Sequence, residues 1–206
     1  MTAARANRLV PLGPIVRLQV QVEKIKTGEG IHQRYTPDQN LRTVEALLLD
    51  SGGVYGRSLG GETLPDVHHR DHPRSRFRGA NGISLLTTGH YAKMRERFGG
   101  HLTDGIAGES LLVQCDGVMT LDALANGIVI GEGEDAVSVE TWEMAHPCTP
   151  FSRFALQFPD DQKPDRRITE ALQFLDDGTR GFNGLYHGQS PNPVEIRLGD
   201  MVYLRA

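Results

Sequence analysis

Short apolar stretches, separated by turn-forming residues roughly every ten positions, restrict the fold of this chain more than any other feature. Residues 15–22 alternate between apolar and polar side chains, which is typical of a strand with one buried face. Further strands are predicted at 43–50, 82–87, 107–113, 127–130, 136–142, 181–186, 194–198 and 201–204. Helices are predicted in two segments, one that follows a predicted N-cap at Thr88 and one at 165–175, and a single helical turn is predicted at 121–125. The pattern predicts a mostly β fold with a few short helices (α+β), arranged as a barrel.

Length and composition describe a globular chain and exclude several classes of function. With 206 residues, we expect a flexible N-terminal arm at 1–13 and a single barrel domain at 14–206. The longest apolar runs, such as Ala46–Leu49, are too short to cross a bilayer, and the first residues lack the apolar centre of a secretory signal. The net charge of −4 disfavours binding to nucleic acid. Two distant cysteines favour a reducing cytoplasm over a disulfide framework.

Cys148 is the strongest candidate for chemistry, because it lies between Pro147 and Pro150 just after a predicted strand. Each proline restricts the residue before it to extended geometry, so we expect a stiff, non-helical connection that presents the sulfur to a cavity. Such a thiolate could bind a soft metal or carry sulfur as a persulfide. His146 and Arg153 are close enough in sequence to stabilise it. A buried structural cysteine is the alternative, and the pattern leaves it open.

The second candidate is Glu109, which follows the glycines at 105 and 108 and precedes an apolar strand. Glycines allow the backbone to turn sharply and to approach a ligand closely. Glu109 could then point inward as a hydrogen-bond acceptor or a proton relay. The alternative is an ordinary β-turn with a solvated carboxylate.

The third candidate is a basic segment at 66–78, within an otherwise acidic protein. It contains four arginines and three histidines: Arg70, Arg74, Arg76, Arg78, His68, His69 and His72. Guanidinium groups bind phosphate in a bidentate manner, which favours an anion-binding loop. A zinc site formed by these histidines with Asp66 or Asp71 is an alternative, although no second His/Cys cluster completes four ligands. A solvated, mobile loop also remains open.

Taken in order, these motifs resemble the MOSC domain, which is named after the C-terminal region of molybdenum cofactor sulfurases. The resemblance extends from about residue 15 to about residue 204, across strands typical of such a barrel. It rests on the basic segment before residue 82, Gly108-Glu109-Ser110-Leu111, His146-Pro147-Cys148, Arg180-Gly181-Phe182 and the Gly199-Asp200 turn. Two positions differ from the family pattern. Ser110 replaces the usual asparagine, and Arg42 stands where a lysine would be expected.

The resemblance implies a MOSC-type β-barrel that binds the molybdenum cofactor, a molybdenum–pterin, with Cys148 as the metal ligand. Glu109 would be the carboxylate close to the cofactor, and the arginines of 70–78 would hold the pterin phosphate. The other implied cofactor contacts are His68, Gly108, Ser110 and Arg153. Such a protein reduces small N-hydroxylated compounds. It would need an external electron-transfer protein, because the sequence contains neither a dinucleotide-binding glycine motif nor a cysteine cluster.

Other functions remain possible at this point. Cys148 could carry a persulfide and deliver sulfur to a metal cofactor, in which case the partner would be a cofactor-synthesis enzyme. A metal-binding module or hydrolase could be built on the histidines at 68, 69 and 72. An interaction protein without catalytic chemistry is the last alternative. The first interpretation, a molybdenum-dependent oxidoreductase, is the one that the resemblance to the MOSC domain implies.

Overall fold

The computed structural model describes residues 8–159, 161–188, 190 and 192–206. The strands are β1 Leu9–Gln21, β2 Lys26–Thr27, β3 Arg34–Tyr35, β4 Leu41–Thr43, β5 Ala46–Asp50, β6 Gly53–Arg57, β7 Thr63–Pro65, β8 Ile83–Thr87, β9 Leu111–Val113, β10 Ile128–Ile130, β11 Val137–Val139, β12 Thr141–Met144, β13 Phe182–Leu185, β14 Val194–Arg197 and β15 Met201–Arg205. The α-helices are α1 Thr88–Phe98, α2 Thr149–Ala155 and α3 Arg166–Leu175. Single 3₁₀ turns lie at 30–32, 122–124 and 133–135.

The main sheet has nine strands and forms a nearly closed barrel. Its order is β11-β10-β15-β1-β9-β8-β13-β12, and β4 also pairs with β1. The pairing of β8 with β9 is parallel, whereas the other pairings in this sheet are antiparallel. A four-stranded sheet, β14-β5-β6-β7, and the β2-β3 pair complete the β structure. The prediction of a mostly β, α+β barrel is confirmed.

The long first strand corrects the predicted N-terminal arm. Residues 9–14 pair with β15, residues 15–18 with β9, and residues 19–21 with β4. The register shifts between Pro11 and Gly13 and again between Ile15 and Arg17, so one strand bends as it passes from partner to partner. Residues 9–13 are therefore strand rather than flexible arm, because the pairing with β15 fixes their backbone. Residues 1–7 of the predicted arm lie outside the described residues.

Helix boundaries follow capping side chains. The N-cap of α1 is Thr87, one residue before the predicted Thr88; its hydroxyl accepts a hydrogen bond from the His90 backbone N–H at 3.3 Å. Asp165 caps α3 in the same way. Helix α2 was not predicted. Cys148 is extended, with φ −135° and ψ 150°, as expected, but the helix begins at the next residue. Pro150 is accommodated there, because the N–H that proline lacks has no partner in a first helical turn.

Two apolar clusters hold the fold together and position the site between them. The first fills the barrel with aliphatic side chains from β1, β5, β8 and β10 and with Phe182. The second lies under α1 and α2 and contains Tyr91, Met94, Phe151 and Leu175. Within the described residues, every helix is too short or too polar to cross a bilayer.

Candidate functional site

A cavity of about 520 Å³ lies where the end of β1, the basic segment and the turn before β9 converge with the end of β12. The predicted site residues that line it are Cys148, Glu109, Gly108, Ser110, His68, Arg76 and Arg78. These residues span 81 positions of sequence, from 68 to 148, and the barrel topology brings them together. The structure does not place Arg70, Arg74 or Arg153 on its wall.

Cys148 is a free, half-buried thiol on this wall. It serves as the N-cap residue of α2, and its carbonyl oxygen accepts the Ser152 backbone N–H at 3.0 Å. On its other side it packs against the second apolar cluster, which includes the fully buried Phe151. The helix start and the apolar contact hold the residue in place, while the cavity leaves room beside it. A sealed core cysteine, the alternative from sequence, would be fully buried, and Cys148 is not.

Glu109 is the buried acid of the cavity, with 2% of its surface exposed. Both carboxylate oxygens lie within hydrogen-bond distance of the Tyr91 hydroxyl, at 3.0 and 2.8 Å, and this hydroxyl also accepts the Ala107 N–H at 3.0 Å. Burial raises the pKa of Glu109 to about 7, against the opposing effects of its own N–H, Tyr91, Arg180 and Arg17. The carboxyl can therefore exchange a proton near neutral pH. A solvated turn carboxylate does not describe this side chain.

Arg180 is a cavity residue that the sequence analysis quoted within a motif but gave no role. Its guanidinium donates a hydrogen bond to the Ala107 carbonyl and lies 4.1 Å from the centre of the Phe151 ring. The backbone turn directly after Arg180 requires glycine, because Gly181 has a φ of +91° and a Cβ there would lie 2.3 Å from the Leu86 side chain. The glycine after the arginine was the available signal. Arg180 contributes a fixed positive charge beside Glu109, whose pKa it lowers.

Four exposed cations form the remaining positive charge of the cavity: Lys24, Lys26, Arg76 and Arg78. In the part of the chain that the structure describes, no carboxylate forms an ion pair with any of them. We define these four residues as the cationic rim. Unpaired lysines and arginines that converge on one space suit an anionic ligand. The two lysines, on the β1–β2 connection and β2, were not predicted.

The other arginines proposed from sequence are engaged elsewhere. Arg70 lies over the Phe77 ring, with its guanidinium carbon 5.1 Å from the ring centre. Arg74 forms an ion pair with Glu23. Arg153 is buried and donates hydrogen bonds to the carbonyls of residues 159 and 162. Residue type suggested Arg70 and Arg74, and sequence proximity to Cys148 suggested Arg153, but contacts outside the cavity engage all three side chains.

Two of the three clustered histidines fasten the basic segment to the barrel. The His69 ring bonds the Asp50 carboxylate at 3.0 Å through Nε2 and the Asp71 N–H at 3.0 Å through Nδ1. The His72 ring bonds the Val22 carbonyl at 3.1 Å and the Arg74 N–H at 3.0 Å. With both ring nitrogens engaged, neither residue is a metal ligand. No group of three His, Cys, Asp or Glu side chains among the described residues could hold a metal ion, so the zinc alternative finds no support.

The turn before β9 brings backbone close to the cavity. Gly108 has φ +86°, a left-handed conformation that favours glycine, and an added Cβ would lie 3.1 Å from Ile25. Ser110, two residues later, is held by hydrogen bonds with Ser84. Its N–H donates to the Ser84 hydroxyl at 2.9 Å, and the two hydroxyls are 3.2 Å apart. These contacts hold Glu109 between two fixed neighbours.

Comparison with known proteins supports the fold and leaves the function open. No family model and no curated protein sequence matches the chain. A crystal structure of a hypothetical protein has a TM-score of 0.51 and 13% identity, covering 97% of this chain and 69% of the other. YuaD from Bacillus subtilis has a TM-score of 0.49 and 14% identity, and the match covers 92% of this chain and 97% of YuaD. YiiM from Geobacillus stearothermophilus has a TM-score of 0.47 and 18% identity, and the match covers 93% of this chain and 74% of YiiM. With a TM-score above 0.5 and 13% identity, the match to the hypothetical protein indicates a shared fold alone.

Proposed function

We propose that this protein is a MOSC-type oxidoreductase that binds the molybdenum cofactor through Cys148. It would reduce small N-hydroxylated compounds with electrons from an external electron-transfer protein. One observation carries the proposal: a half-buried thiol, a buried carboxyl and the unpaired cationic rim line the same cavity.

The residues present suit such a cofactor. A thiolate is a soft ligand of the kind that a molybdenum centre accepts. The cationic rim matches the phosphate of the pterin, and the side-chain amides of Gln21 and Asn183 offer hydrogen bonds to its ring system. A volume of about 520 Å³ lies within the usual range of ligand pockets. The charge of the cavity, its thiolate and its volume therefore all suit the molybdenum cofactor.

Each residue has a distinct task in this proposal. The bound cofactor would supply the two-electron redox chemistry, which the protein side chains cannot. Cys148 would hold the metal, and Arg76 and Arg78 would hold the phosphate. Glu109 would keep or release a proton beside the cofactor near neutral pH, with its carboxylate oriented by Tyr91.

A sulfur carrier is the second candidate, and the placement of the two cysteines favours it over the remaining alternatives. A persulfide requires one reachable sulfur and no neighbouring thiol that would reduce it. Cys148 lines the cavity and Cys115 does not. In this role Cys148 would pass sulfur to a metal cofactor held by a cofactor-synthesis enzyme.

Metal and pterin analysis separates the two functions. The protein is purified from a host that synthesises the cofactor, and its molybdenum, pterin and cyanide-labile sulfur are measured. We expect molybdenum and pterin in stoichiometric amounts. Cyanide-labile sulfur without metal would favour the sulfur carrier instead. Absence of all three from protein made in such a host would contradict both.

Neutralising the rim arginines should weaken cofactor retention. We expect the Arg76→Gln/Arg78→Gln double variant to bind the cofactor at least about tenfold more weakly, because each hydrogen bond to a charged group contributes about 1.5–3 kcal/mol. The measurement is the cofactor lost during dialysis, followed by pterin fluorescence. Arg70→Gln/Arg74→Gln is the matched control, since it removes the same charge from the same segment but away from the cavity. Equal losses from both double variants would show that net charge alone matters.

A further inference from the structure

Asp66 and His68 form a hydrogen-bonded pair on the cavity wall that the proposed function does not use. The His68 Nδ1 lies 2.9 Å from Asp66 Oδ1, and the His68 backbone N–H donates to the same oxygen at 2.8 Å. The other oxygen, Oδ2, accepts the Gln21 N–H at 2.7 Å. Asp66 is 4% exposed and is thus locked between β1 and the basic segment.

These contacts determine which ring nitrogen of His68 carries the hydrogen. Asp66 already accepts two backbone N–H groups, one on each oxygen, and a carboxylate oxygen accepts rather than donates in its bond with Nδ1. Nδ1 therefore carries the hydrogen, and Nε2 has the lone pair. Unlike its neighbours His69 and His72, whose two nitrogens are both engaged, His68 has a free Nε2 among the described contacts.

We infer that His68, positioned by Asp66, is the catalytic residue that delivers a proton to the substrate in this cavity. The inference rests on the proposed function, in which the substrate is an N-hydroxylated compound. His68 suits proton delivery better than Glu109, because about a third of its side chain is exposed whereas Glu109 is buried. It can therefore regain a proton from water after each turnover. Uptake of this proton at Nε2 converts the ring to an imidazolium, whose Nδ1–H remains bonded to the Asp66 carboxylate until Nε2 delivers its proton to the substrate.

The reaction balances with one proton from His68. The N–O bond of the substrate breaks, and the hydroxyl oxygen leaves with the bonding pair and the Nε2 proton as water. Two electrons from the external electron-transfer protein become the lone pair of the nitrogen, which takes a second proton from solvent. The hydroxylamine group is thereby reduced to an amine. Neutral His68 then takes a proton from solvent and is ready for the next cycle.

The tautomer is tested on the protein without activity measurements. Histidine labelled with ¹⁵N gives long-range ¹H–¹⁵N correlations that distinguish a protonated Nδ1 from a protonated Nε2. The His68→Gln variant assigns the signal. We expect the Nδ1–H form in the wild type and a shift toward Nε2–H in Asp66→Asn. A wild-type His68 that is predominantly in the Nε2–H form would overturn the inference.

The proton transfer is tested by turnover per bound molybdenum. We expect His68→Gln to lower kcat for an N-hydroxylated compound by about 10²-fold or more, which is the usual contribution of general acid catalysis. Added imidazole should restore part of the rate to His68→Ala. His187→Gln is the matched control, because that histidine bonds the exposed Thr141 outside the cavity and should leave kcat unchanged.

The outcomes separate this inference from the function on which it rests. Wild type without molybdenum or turnover would remove the proposed function, and the inference with it. A loaded His68→Gln protein with a kcat close to the wild-type value would overturn the inference alone. Loss of the cofactor from both His68→Gln and Asp66→Asn would make the pair a binding element, which also overturns the proton role.

Discussion

Replacement of Cys148 by serine is expected to remove molybdenum from the purified protein almost completely. Serine keeps the size of the side chain but offers a hard, weakly acidic hydroxyl where the metal prefers a soft thiolate. The content should fall at least about tenfold, because no other Cys in the described chain lines the cavity to replace it. The measurement is elemental analysis of protein purified from a host that makes the cofactor.

Cys115→Ser is the matched control for this change. Cys115 is also free and half-buried, but it follows β9 and does not reach the cavity. Its molybdenum content should equal that of the wild type. Retention of the metal by the Cys148→Ser protein would remove the basis for a thiolate ligand. Pterin that stays bound while molybdenum is lost would show that the cationic rim alone holds the organic part.

The buried carboxyl of Glu109 should make the stability of the fold depend on pH. Its pKa in the folded protein is about 7, whereas that of an unperturbed glutamate is 4.5. Between these values the folded state holds a proton that the unfolded state has lost, so the free energy of unfolding falls as the pH rises. Over the full interval the loss is about 3 kcal/mol. The cost is absent below the lower pKa and fully present above the upper one.

Glu109→Gln isolates this effect, because an amide of the same shape does not titrate in this range. We expect the variant to unfold in urea like the wild type near pH 4.5 and to be more stable by about 3 kcal/mol near pH 8. Glu143→Gln is the control, since that glutamate lines the same cavity but is exposed. Parallel pH profiles for the wild type and Glu109→Gln would mean that the carboxyl titrates normally in the folded state.

The architecture could be predicted from the sequence wherever local pattern determines structure. The alternation at 15–22 indicated β1, and the apolar face at 165–175 indicated α3. The same method missed α2, because Pro150 normally argues against a helix and is tolerated only in a first turn. It also missed residues 9–13 of β1, which are held as strand by pairing with residues almost two hundred positions away. No local pattern encodes that pairing.

The site was predictable as a set of motifs but not as a geometry. Cys148, Glu109, Arg76 and Arg78 were selected by residue type, and the structure places them around one cavity. Lys24 and Lys26 could not be distinguished from ordinary surface lysines. They line the cavity because the chain passes beside it in the β1–β2 connection and in β2. The bond between Tyr91 and Glu109 and the bond that ties Asp66 to the Gln21 N–H of β1 are contacts between segments that are separated in the sequence. Such contacts have no signature in a single sequence.

The seam between β1 and β15 has a consequence for how the protein is made. Leu9 pairs with Arg205 and Pro14 with Met201, so the first described strand is matched to the last. A nascent chain cannot close this seam until residues 201–205 have emerged from the ribosome. Until then the edge of β1 that pairs with β15 stays exposed, and pairing of this edge with other chains competes with folding. Closure of the barrel therefore requires β15, and pairing between strands so distant in sequence favours slow folding.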